Sequence, residues 1–139
     1  MSERSRESPP ETVSPAALRP SQLYVSAEKL SAVLDRTDGP DHEFGPLSVY
    51  EFDGERYLTD GHTRAFAAYL TDADEVVVEY DAELPENYDV ARYRECIRWC
   101  EEEGVERVPD FVGRVLAPEE FEREWLDRCS RAAERLDRD

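Results

Sequence analysis

Lysine is almost absent from this chain of 139 residues: Lys29 stands alone among 17 basic residues, the rest being arginine, against 34 acidic ones. The formal charge of −17 disfavours a simple DNA-coating role at ordinary ionic strength, because such a surface repels the phosphate backbone. Long apolar runs are missing too. No stretch approaches the roughly 20 residues of a membrane span, and Met1 to Glu11 lacks the apolar segment of a secretion signal. The expectation is a cytoplasmic protein with no membrane partner. Cysteines are few: Cys96, Cys100 and Cys129 form no CxxC pair, and with only His42 and His62 as companions they lack the spacing of a zinc site. Cys96 and Cys100 share one face of an expected helix and read as reduced thiols packed in a core.

What is present is a globular composition, 40% apolar, in a chain of single-domain length. An acidic surface nearly free of lysine suits a salt-rich cytoplasm, where the screening length shrinks to about 3 Å at molar ionic strength. A halophilic protein of this kind keeps its fold in molar KCl and loses it at low salt.

Residues 1–17, rich in Ser, Pro, Glu and Arg, read as a disordered tail. From Leu18 the pattern changes. Arg19-Pro20-Ser21-Gln22 predicts a turn, and Ser26 caps a helix carrying Leu30, Val33 and Leu34 that stops by Gly39-Pro40. Asp41 to Gly45, with His42 and Glu43, reads as a solvated loop. Leu47 to Phe52, Asp53-Gly54 and Glu55 to Leu58 predict a hairpin. After a helix ending at Leu70, the β-branched run Glu75 to Tyr80 predicts a further strand, and the strand, helix, strand order a crossover in a parallel or mixed sheet. The last third is helical: Asp89 to Glu103 stopped by Gly104, a turn at Pro109 to Val112, an extended piece at Gly113 to Leu116, and a final helix from Pro118 striped by Phe121, Trp125, Cys129, Ala132 and Leu136. Trp99 and Trp125 read as packing, within the chain or against a partner copy.

The chemistry concentrates in Leu58-Thr59-Asp60-Gly61-His62-Thr63-Arg64 and the alanine-rich helix behind it. A helix entered through Gly61 aims the backbone amides of His62, Thr63 and Arg64 beyond the strand end, which makes an anion site. Gly61 lets a phosphate approach closely, Thr63 offers a hydroxyl and Arg64 a planar fork. Asp60 would repel that phosphate unless it holds a metal ion, takes a proton from a hydroxyl or caps the helix. In the plainest alternative Asp60 is a helix cap and His62 and Arg64 are surface residues.

With the Leu18 to Leu34 and Asp60 to Leu70 segments together, the chain resembles the ParB/sulfiredoxin superfamily over about Leu18 to Asp81. The resemblance implies an α/β (α+β) fold, a small mixed sheet of the ParB/sulfiredoxin type with a helical C-terminal extension. Residues 18–82 would form the nucleotide-binding core and residues 83–139 the extension packed on it. Sulfiredoxins carry Gly-Cys-His-Arg here, and Gly61-His62-Thr63-Arg64 has no cysteine. Partition proteins carry Gly-Glu-Arg-Arg and a following DNA-reading domain, for which the chain after Asp81 is too short. Asp60-Gly61-His62-Thr63-Arg64 is most similar to the Asp-Gly-His-x-Arg of the free-serine kinases of this fold. Their base, a glutamate after the proline of the first segment, is replaced by Ser21 and Gln22 after Pro20. Glu28 and Glu43 are the acidic substitutes.

The expected ligand is therefore a nucleoside di- or triphosphate with Mg2+, held by Gly61, His62, Thr63 and Arg64 and met by Ser21 and Gln22. Asp60, His62 and Arg64 are the candidate catalytic residues and Asp60 the metal ligand. The first expectation is phosphoryl transfer to a small hydroxyl compound. A nucleotide-binding module without turnover, or a ParB-like, nuclease-like DNA-associated domain, are the alternatives. DNA is disfavoured because Arg92, Arg94, Arg98 and Arg107 alternate with acids. Self-association stays open.

Overall fold

The computed structural model describes residues 11–36, 44 and 46–138. In chain order the elements are β1 (Glu11–Val13), β2 (Val25–Ser26), α1 (Ala27–Arg36), β3 (Leu47–Phe52), β4 (Glu55–Asp60), α2 (His62–Leu70), β5 (Val76–Tyr80), α3 (Leu84–Asn87), α4 (Val90–Glu103), β6 (Val115–Leu116), α5 (Pro118–Phe121) and α6 (Asp127–Arg138). Turns of 3-10 helix lie at Pro15–Ala17 and Val108–Phe111, and a π turn at Glu122–Leu126 joins α5 to α6. Among the described residues no helix is long and apolar enough to cross a membrane.

The architecture is α+β, with a mixed four-stranded sheet in the order β1-β5-β3-β4. One side of it is a hairpin: Asp53 and Gly54 both take positive φ (53° and 88°), the conformation whose twist lets two strands close tightly. β3 and β4 therefore pair antiparallel, with Phe52 opposite Glu55. β5 joins the other side of β3 in parallel, Leu47 opposite Val78. The expected crossover is thus realised between β3 and β5; β4, which feeds α2, is not itself paired to β5. Consequently the carboxyl end of β4 lies beside the amino ends of β3 and β5, and α2 rather than a row of strand ends defines the corner there.

The expected tail needs correcting over residues 11–17. β1 pairs antiparallel with β5, Val13 opposite Val76 and Glu11 opposite Val78, because β5 would otherwise leave one row of backbone groups unpaired. Glu11 also accepts two hydrogen bonds from the Arg56 guanidinium, at 2.7 and 2.9 Å. Residues 1–10 of the tail, His42, Glu43 and the Gly39-Pro40 stop lie outside the described residues.

The C-terminal third completes the core. β6 pairs in parallel with β2, Val25 opposite Val115, and Val105, Val108 and Phe111 are fully or almost fully buried with Leu23, Val25, Leu47 and Leu58. Phe111 meets Phe66 of α2 edge-on, ring centroids 5.7 Å apart. Trp99 of α4 and Trp125 of the π turn stack edge to face at 5.9 Å and are both buried, so they pack against each other within the chain. The Ser26 cap and the Gly104 stop follow expectation, Lys29 N–H donating to Ser26 Oγ at 3.3 Å and Gly104 closing α4 at φ 76°, while Asp89 precedes α4 as its cap and accepts from Ala91 N–H.

Candidate phosphate-binding corner

β4 reaches the corner out of register. Leu58 faces Val49 while Asp60 faces Ser48, so Thr59 is an extra residue and the strand bulges there, turning Asp60 away from the regular ladder. The Tyr93 hydroxyl secures the bulge, donating to the Thr59 carbonyl at 3.2 Å; burial pushes its pKa up to about 12, so it stays a donor. Gly61 follows at φ 92°. A Cβ on it would sit 2.7 Å from Leu47 Cδ2 and 3.0 Å from Arg64 Nη2, so any other residue is strained there and must displace one of these side chains.

α2 starts immediately after, with Gly61 as its N-cap and no side chain bonded to its first amides. The amides of His62, Thr63 and Arg64 lack intrahelical partners by construction, and the helix dipole adds positive potential there. Asp60 is not the cap. It ends β4, with its side chain 76% exposed and 3.5 Å from Arg64.

In front of these amides lies a cavity of about 400 Å³, within the range of small-molecule sites. Gln22, Asp60, Gly61, His62, Thr63 and Arg64 form one side of it. α1 supplies a second wall with Lys29 and Arg36, and Phe121, Trp125 and Leu126 an apolar third. Among the described residues, three cations against one carboxylate line this space in a chain carrying −17. Lys29 lies 5.9 Å from the centre of the Phe121 ring, which places the chain's lone ammonium at the seam between the first helix and the C-terminal third.

The structure gathers the expected residues but redistributes their roles. Arg64 lines the cavity while its Nη1 donates to the carbonyls of Phe44 and Pro46, each at 3.3 Å, so the guanidinium is held in place from behind. Thr63 and Gln22 line the cavity as expected; the Gln22 amide nitrogen is tied to the Tyr24 carbonyl at 2.7 Å. His62, expected as a catalytic residue and a phosphate contact, also lines the cavity. It is buried, its Nε2 accepts the Ser21 amide proton at 2.9 Å, and burial drives its pKa down to about 3. The ring is therefore neutral, with its proton on Nδ1.

Ser21 requires correction. Its hydroxyl donates to the Leu58 carbonyl at 2.6 Å and the residue is buried, so it fastens the Leu18–Tyr24 loop to β4 instead of presenting a free hydroxyl. His62 and Ser21 together form the brace that fixes the corner's shape. Glu28 is exposed on α1 and is not among the residues lining the cavity, so that among the described residues Asp60 is the carboxylate there.

No protein-family model matches the chain, and no curated protein matches it in sequence. Among solved structures, the crystal structure of protein Atu1540 from Agrobacterium tumefaciens is similar over 53% of this chain and 39% of that one, at 16% identity and a TM-score of 0.46.

Lys29 and Arg36 are the residues that sequence reasoning passes over. Their seven-residue spacing puts them on one stripe of α1, and the uniqueness of Lys29 was a signal, but only the packing of α1 beside α2 shows what they face. Chemically, the corner can hold a multiply charged anion: backbone amides and Arg64 at one end, Lys29 and Arg36 along the side. The donor set suits a magnesium ion carried on phosphates, since Asp60 offers one carboxylate, whereas a cage built from protein alone needs more. Among the described residues no group of three or more His, Cys, Asp or Glu comes together as metal ligands.

Proposed function

We propose that this protein binds a nucleoside di- or triphosphate at the β4–α2 corner, in the manner the ParB/sulfiredoxin resemblance implies. The observation that carries the reading is the cavity itself: uncapped helix amides, Arg64, Lys29 and Arg36 converge on one space in an otherwise strongly acidic molecule. In this reading the phosphates lie against the amides of His62, Thr63 and Arg64, with Lys29 and Arg36 matching the outer charge. The apolar wall of Phe121 and Leu126 takes the less polar part of the ligand. Mg2+ enters with the phosphates and meets Asp60.

Phosphoryl transfer to a small hydroxyl compound is the activity we assign to this arrangement, with Asp60 receiving the hydroxyl proton and Arg64 balancing the charge that develops on the transferred group. Binding without turnover is the second reading, favoured by the 3.5 Å pairing of Asp60 with Arg64, which draws that carboxylate away from proton transfer. A DNA-associated role has less support, because Arg94, Arg98, Arg114, Arg128 and Arg135 are each paired with an acidic side chain.

Calorimetry and thermal shift with ADP, ATP and CTP, each with Mg2+, test the proposal. The expected result is stabilisation by at least one of them, with affinity falling roughly 10- to 100-fold in Arg64→Ala and Lys29→Ala, the range for a lost charged hydrogen bond. No shift with any nucleotide would sink it. Consumption of the bound nucleotide with a panel of hydroxyl compounds, abolished in Asp60→Asn, separates transfer from binding alone.

A further inference from the structure

A second cavity, of about 310 Å³, lies between α4 and α6, lined by Arg92, Cys96, Trp99, Cys129 and Ala132 and bordered by the exposed ring of Tyr88. Two of the three cysteines share it. Cys96 comes from α4 and Cys129 from α6, and both are partly exposed on the lining of this one cavity. The third, Cys100, lies one turn beyond Cys96 but is buried, its thiol donating to the Gln22 carbonyl at 3.5 Å. Arg128, whose guanidinium sits 4.1 Å from the Trp99 ring centre, adds a second cation to Arg92 beside Cys129. Inert packing accounts for Cys100. It does not account for two partly exposed thiols on the lining of one cavity that Arg92 shares.

We propose that Cys96 and Cys129 form a peroxide-reactive dithiol, in which Cys129 is the oxidised sulfur and Cys96 resolves it to an intrachain disulfide joining α4 to α6. The electrostatics agree with this division of labour. The neighbouring Cys96 thiol, and then Arg92 and Arg128, draw the Cys129 thiol below its ordinary range against the opposing effect of burial. The Cys129 thiol, reinforced by burial, pushes Cys96 up. In the first step the Cys129 thiolate attacks one oxygen of a hydroperoxide; the S–O bond forms, the O–O bond breaks, and the departing oxygen is protonated. With hydrogen peroxide this releases one water and leaves Cys129 as a sulfenic acid. In the second, the Cys96 sulfur, giving up its proton, attacks the Cys129 sulfur; the S–S bond forms and the sulfenic oxygen leaves as a second water. Two electrons pass from the dithiol to the peroxide, and a thiol reductant returns them.

The site is independent of the nucleotide proposal. Hydrogen peroxide is added in slight excess to the native full-length protein, free thiols are alkylated, and a tryptic digest is analysed without reduction. Cleavage at Arg98 puts Cys96 and Cys100 on different peptides. The expected product is a Cys96–Cys129 linked peptide, with Cys129 consumed roughly tenfold faster than Cys100. Cys96→Ser should halt at a Cys129 sulfenic acid that dimedone traps, Cys129→Ser should leave Cys96 unreacted, and Cys100→Ser should leave the link unchanged. Because the wild-type map needs no variant, a substitution that fails to fold does not rescue the idea. Oxidation of Cys100 first, a covalent dimer as the product, or three thiols left intact by peroxide would each overturn it.

Discussion

The same dipeptide, Asp-Gly, stands at two bends of this chain and does different work at each. At Asp53-Gly54 both residues take positive φ, a Cβ on Gly54 would meet nothing within 4 Å, and the pair closes a hairpin at the surface. At Asp60-Gly61 the glycine is the residue of the pair in the left-handed region, and a Cβ on it would strike Leu47. Each aspartate also has its arginine: Asp53 is 2.8 Å from Arg94 and Asp60 is 3.5 Å from Arg64. The first pair is a turn. The second is a turn pressed against the core and opening a helix whose amides face a cavity. A short motif fixes how the chain bends, while the packing around the bend decides whether a ligand can use it.

The sharpest way to break the comparison is alanine at each glycine. Gly61→Ala combines left-handed strain with overpacking against buried Leu47, an expected loss of about 2–4 kcal/mol in urea denaturation. Gly54→Ala meets only the strain, about 1–2 kcal/mol. Equal losses would mean the second bend is no more constrained than the first.

Acid should expose the brace behind Gly61 next. His62 has a folded pKa of about 3 against an ordinary 6.5, so the unfolded chain binds more protons between those values. Its contribution is therefore fully present above pH 6.5 and lost as pH falls, by up to about 1.4 kcal/mol per unit. Glu11 and Glu95, whose pKa values are lowered from 4.5 mainly by hydrogen bonds from Arg56 and Arg98, lose stability only below that value. Melting followed from pH 6.5 to 4.5 should thus isolate His62. His62→Gln, whose amide oxygen can still accept the Ser21 proton, should flatten that segment; an unchanged slope would remove the brace.

The smallest effect belongs to the hairpin's ion pair. Arg94→Ala should alter stability by no more than about 1 kcal/mol, since both partners are exposed, and should leave nucleotide affinity where it was. Arg64→Ala should do the reverse. Matched losses of affinity in the two variants would place the ligand somewhere other than the β4–α2 corner.

Much of this molecule follows from its order of residues alone. The hairpin, the start of α2 at Gly61, the Ser26 and Asp89 caps and the Gly104 stop are local events, governed by backbone sterics and by hydrogen bonds a few residues apart. The same reading gathered Asp60, Gly61, Thr63 and Arg64 into one place, because a strand, a turn and a helix in succession leave them few other arrangements. What it missed depended on contacts between distant segments. Residues 11–13 look like tail until β5 offers them an unpaired edge. His62 reads as a phosphate contact until burial holds its ring neutral and Ser21 takes its nitrogen, and Thr59 looks regular until the ladder slips around it. Lys29, Arg36, Phe121 and Trp125 become walls of one cavity only when α1 and the C-terminal third pack beside α2. Desolvation and long-range pairing are properties of the folded whole, and so the turn was written in the sequence while the cavity in front of it was made by the tertiary structure.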